Sequence, residues 1–88
     1  MTDAVPNLDA MSREDLMAFW ATHRDGRNAK TFGLTGKGSK IVTADLANYA
    51  ANKATAMYCR LAGNIAGALH YEAICDRIYA KLPVAARW

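Results

Sequence analysis

Stepping alternately three and four residues from Ala47 reaches Ala50, Ala54, Met57, Leu61, Asn64, Ala68, Tyr71, Cys75, Ile78 and Leu82, and only Asn64 among them is neither apolar nor amphipathic. An apolar repeat held over about five heptads marks a seam between packed helices. Alanine fills any register by chance, so the weight falls on Tyr71, Cys75, Ile78 and Leu82, which are larger and keep step. Tyr58, Ile65, Leu69, Ile74 and Tyr79 flank the seam and widen the stripe beyond what one neighbour covers. The pattern predicts a long alanine-rich helix over about 44–82. Thr43 is its expected N-cap, Asp45 lies in its first turn, Arg77 and Lys81 lie in its last turns, and Pro83 stops it.

Gly63 and Gly67 stand inside this run, and glycine costs about 1 kcal/mol relative to alanine in a helix interior. The register crosses both without a phase slip, which favours one unbroken helix of about 58 Å at 1.5 Å per residue. The alternative is a break near Gly63, with Gly63 closing one helix and Asn64 capping the next, giving a compact three-helix monomer.

A shorter helix is predicted upstream, from about Arg13 to His23. Ser12 can cap it, Asp15 takes the third helical position, and Met11 can pack onto Leu16. Leu16, Phe19, Trp20 and His23 share a face, which Met17 extends. Residues 1–10, with Pro6 and Asn7, read as a frayed lead-in. Residues 24–42 read as a glycine-rich connection, and a short hairpin pairing Lys30 to Leu34 with Ser39 to Thr43 is conceivable within it. The chain is thus expected to be all-α, one small helical domain over 1–88.

Composition changes the picture through burial. At 52% hydrophobic and 22% charged, the chain is globular in character. A chain of 88 residues buries only about 60–65% of its unfolded surface. The first helix, about 16 Å long, leaves most of a long apolar stripe bare. The expected solution is a helical homo-oligomer, most simply a two-fold homodimer, joined through Met57, Leu61, Asn64, Ala68, Tyr71, Cys75, Ile78 and Leu82. Asn64 would fix register by pairing with its symmetry mate.

Charge is uneven. Residues 24–40 hold Arg24, Arg27, Lys30, Lys37 and Lys40 against Asp25, a local net charge of +4 within a total of +3. The longest charge-free stretch, Leu61 to Tyr71, is about half of the ~20 residues a membrane span needs. The first nine residues lack the basic and apolar regions of a signal peptide. Cys59 and Cys75 would lie about 24 Å apart on one helix, too far for a disulfide. A cytoplasmic protein without a membrane segment is expected.

Candidate chemistry is sparse. Gly36-Lys37-Gly38-Ser39 resembles a phosphate-binding loop, but Thr31 stands where its first glycine belongs and Gly38 where its Ser or Thr belongs. A glycine-rich turn beside lysines can still cradle an anion. Residues 42–61 resemble a helix-turn-helix in register, with Thr43 leading, Leu46, Ala47 and Met57 inside and Ala51 near the turn; Asn52 and Arg60 depart from the pattern. His23 and His70 lack metal-ligand spacing, Glu72 and Asp76 stand one turn apart on a solvated edge, and no base is spaced to activate Cys75. Neither a metal, a cofactor nor enzymatic activity is expected. Two functions remain. In one, a self-associating protein binds nucleic acid or another polyanion through Arg24, Arg27, Lys30, Lys37 and Lys40, with Phe32 offered for base stacking. In the other, the long apolar helix docks a protein partner and nucleic acid plays no part.

Overall fold

A computed structural model describes residues 4–88 and is all-helical. The first helix, α1, spans Arg13–His23, bounded as its capping residues dictate. Ser12 Oγ accepts from the Asp15 N–H at 3.2 Å, and Glu14 and Asp15 lie at the positive end of the helix. Leu16, Phe19 and His23 are buried, whereas Met17 and Trp20 stay exposed at the edge of the contact.

The long unbroken helix does not form. α2 spans Ser39–Leu61 and α3 spans Ile65–Lys81, separated by a sharp turn at Gly63. Gly63 adopts φ +79, a left-handed conformation that glycine enters without a steric penalty. That conformation lets two N–H groups turn back on the last carbonyls of α2, Asn64 N–H to Cys59 O at 2.8 Å and Gly63 N–H to Arg60 O at 3.1 Å. Asn64 then begins α3, its Oδ1 accepting from the Gly67 N–H at 2.9 Å. Asn64 is therefore an exposed cap, and Gly67 makes room for it: a Cβ there would stand 2.6 Å from Asn64 Nδ2.

The turn sends α3 back antiparallel along α2. Cys75 Sγ reaches Tyr49 O at 3.6 Å, Arg60 pairs with Glu72 at 2.6 Å, and Lys81 pairs with Asp45 at 3.5 Å. α1 lies on another side of α2, so α2 is the central element and the three helices pack compactly. The longest dimension is 42 Å, shorter than the span expected of a continuous helix. Alanines suit α2 to this place: Ala47, Ala50, Ala54 and Ala56 are all buried, and small side chains let both neighbours approach. The seam read from the sequence is covered by the chain itself. Ala68, Cys75, Ile78 and Leu82 are buried here, Met57 and Tyr71 are half-buried, and Leu61 stands 85% exposed at the turn.

α2 also starts earlier than Thr43. Gly36 and Gly38 take φ +87 and +89, and the helix begins directly after Gly38. Thr43 is fully buried inside it and donates its hydroxyl to Ser39 O at 3.0 Å. α2 runs without interruption through Ala51, which removes the helix-turn-helix reading. The hairpin is absent too: residues Ala29–Phe32 form a 3-10 turn, and among the described residues there is no strand.

The lead-in is packed rather than frayed over its described part, Val5 and Leu8 being buried and Leu8–Ala10 forming a 3-10 turn; residues 1–3 lie outside the described residues. Pro83 ends α3 as expected. Trp88 then folds back, edge-on to Tyr49 at 4.7 Å and to Tyr79 at 4.8 Å, with its indole N–H donating to Asp9 Oδ2 at 3.1 Å. No helix among the described residues is long and apolar enough to cross a membrane.

Candidate functional site: a basic cavity at the start of α2

The connection between α1 and α2 is ordered by two tight features. Gly26, at φ +70, lies against α2, and a Cβ on it would stand 2.5 Å from Lys40 O. The 3-10 turn closes on Gly33, whose N–H reaches Lys30 O at 3.1 Å, and Leu34 is buried beneath. Together they bring Arg27, Lys30 and Lys40 around one cavity of about 360 Å³, with Gly36 and Ser39 in its wall. This cavity adjoins the start of α2, which has no side-chain cap and no acidic residue in its first turn. Cations at the positive end of a helix are unfavourable, and an anion seated there would relieve both.

The remaining predicted contacts divide. Lys37 lines a neighbouring cavity of about 350 Å³ together with Gly38, Ser39 and Pro83. Arg24 and Arg27 both lean on Asp25, at 3.8 and 2.7 Å. Their side chains are more than half exposed, so these pairs are weak and one carboxylate leaves the trio net positive. Phe32 is placed differently. It stacks on His23 at 5.0 Å, and His23 in turn stacks on Phe19 at 4.2 Å, so its ring packs the connection onto α1. His23 Nδ1 lies 3.0 Å from Phe19 O and donates to it in the tautomer protonated there.

Other polar groups are engaged structurally. Burial pushes the Asp9 carboxyl up, but hydrogen bonds from Tyr49 and Trp88 and the nearby Lys53 ammonium outweigh it and hold Asp9 below its ordinary range. Burial and then Asp9 push the Tyr49 phenol far up, so it donates and does not ionise. Glu72, held low by hydrogen bonds from Arg60, is tied to α2 rather than to Asp76. Burial raises the Cys75 thiol to about 11, which keeps it protonated near neutral pH. Among the described residues no three His, Cys, Asp or Glu side chains gather as metal ligands would.

Sequence reasoning missed one feature beside this site. Trp20, expected to be on the buried face, is 36% exposed and carries the Arg24 guanidinium over its ring at 5.4 Å. At the other end of α1, Arg13 lies over the exposed Tyr58 ring at 5.3 Å. Between them a cavity of about 240 Å³ opens, walled by Met17 and Trp20 and floored by Ala51 and Ala54. Arg13 also lines it, and its Nε is buried without a hydrogen-bond partner among the described residues. The four-residue spacing of Trp20 and Arg24 was the available signal, since it places them on one helix face. Comparison of the chain with family models, curated proteins and solved structures gave no match.

Proposed function

We propose that this is a small non-enzymatic helical protein that binds a polyanion, nucleic acid in the first instance, through the connection between α1 and α2. The observation that carries this reading is the convergence of Arg27, Lys30 and Lys40 on one cavity beside the uncapped start of α2. Phosphate fits both parts of that arrangement, accepting from guanidinium, ammonium and backbone N–H donors. Localised positive charge also speeds the encounter with a polyanion. The contact set is Arg27, Lys30 and Lys40, with Arg24 and Lys37 as flanking charges; Phe32 plays a packing part.

The test is fluorescence anisotropy with a labelled oligonucleotide between about 50 and 200 mM salt, a range over which phosphate contacts weaken steeply. Replacing Lys30 and Lys40 with alanine should lower the slope of log affinity against log salt by about 1 for each lysine. Absence of binding at the lower salt, or binding indifferent to both substitutions, overturns the reading.

A second reading has its own observation. Tyr58, Leu61, Ile65 and Leu69 are all at least 49% exposed around the α2–α3 turn. An apolar end of this kind suits contact with a protein, either a second copy or a partner for which this chain is an adaptor. Association there should persist in high salt and be lost with Leu61→Glu, read by light scattering on a sizing column.

A further inference from the structure

We infer that the polyanion is a single-stranded nucleic acid, and that it runs from the basic cavity along α1 with Trp20 as its base-stacking platform. This rests on the polyanion reading above and adds the chemical form of the ligand. Arg13, Met17, Trp20 and Arg24 follow one another at helical spacings of four, three and four, which places them on one face of α1 and its C-terminal edge. Their distances link into a continuous strip. Tyr58 lies under Arg13, Trp20 lies under Arg24, Asp25 joins Arg24 to Arg27, and Arg27 lines the basic cavity.

Each exposed ring on this strip therefore carries a guanidinium over one face. That pairing suits a nucleotide, whose base takes the guanidinium's place on the ring while its phosphate holds the displaced guanidinium alongside. A duplex hides its base faces and would use only the cations. An acidic peptide would likewise use the cations without needing the aromatic face. The groove between α1 and α2 is apolar in its floor. Asp25 is the acidic group within the strip, and it is outnumbered by the two arginines it bridges.

The experiment uses the Trp88→Phe chain, in which Trp20 is the one remaining tryptophan, after circular dichroism shows its helicity equal to the parent. It is titrated with oligothymidylate of about ten nucleotides, within the site sizes of non-specific single-strand binders, and separately with inorganic polyphosphate. Oligothymidylate should quench Trp20 fluorescence, and polyphosphate should bind without quenching. In the parent chain, Trp20→Ala should weaken oligothymidylate about tenfold and leave polyphosphate unchanged, while Trp20→Phe should keep most of the affinity. If both ligands bind and Trp20→Ala alters neither, the single-strand inference is overturned and the polyanion reading stands. Tighter binding of duplex, or Trp20-dependent binding of polyglutamate, also overturns it. If neither oligothymidylate nor polyphosphate binds, the polyanion reading itself fails.

Discussion

Asn64 caps α3 by accepting from the Gly67 N–H at 2.9 Å, and Gly67 is the residue whose missing Cβ leaves that cap its space. With the left-handed Gly63 beside them, these residues turn a continuous apolar register into a hairpin. The joint also sets which surface the chain keeps for others, because folding back covers most of the seam.

Gly63→Ala with Asn64→Ala should favour the straight helix over the turn. The first substitution forces a Cβ into the left-handed region at about 1–2 kcal/mol, and the second removes a cap worth about 1 kcal/mol. α3 of one chain would then pack on α2 of another. Light scattering should show a larger share of mass at twice 9.6 kDa than for the parent at equal concentration. An unchanged mass together with an unchanged melting temperature would show that the turn does not depend on these residues.

Gly26→Ala should damage the connection more than Gly36→Ala. It meets both a positive φ and the Lys40 carbonyl, so a loss of about 2–4 kcal/mol is expected from combined backbone strain and overpacking. Gly36→Ala, where a Cβ meets nothing within 4 Å, should cost only the strain of its φ. Urea denaturation of the two variants measures the difference.

The clasp of Asp9 with Tyr49 and Trp88 predicts an acid-side loosening. Asp9 titrates below its ordinary value when folded, so its contribution is complete above about pH 4 and is lost as pH falls below it. Near-UV circular dichroism should report Trp88 leaving its site in that window, ahead of the loss of helix. In Asp9→Asn the near-UV step should shrink, with about 1 kcal/mol of stability gone at neutral pH, since the side chain is half exposed.

Cys75 should resist alkylation in the native state. Its thiol is raised to about 11 and packed against Tyr49, so burial favours the neutral form. This contribution is full below the ordinary thiol value and fades as pH rises from there towards 11. Mass spectrometry after iodoacetamide at pH 8 should find Cys75 unmodified until denaturant is added. Rapid native labelling would contradict the packing described.

The sequence by itself determined what local chemistry controls. α1 runs Arg13–His23 because Ser12, Asp15 and the 3.6-residue spacing of Leu16, Phe19 and His23 act within a few residues of one another. α3 ends before Pro83 for a reason equally local, and the clustering of charge in 24–40 needs no structure to be seen. Tertiary structure alone decided between one long helix and two. A three-four apolar repeat is satisfied equally by a second copy and by the chain's own antiparallel return, so periodicity is silent on which neighbour covers it. The same limit hid the fate of Phe32, within the predicted connection, and of Trp20, on the predicted first helix, where one packs inward and the other outward according to what α2 leaves uncovered. It hid the clasp most completely. Asp9 and Trp88 meet across 79 residues of chain, and no pattern within either segment encodes a contact that exists only once α2 and α3 have brought the ends together.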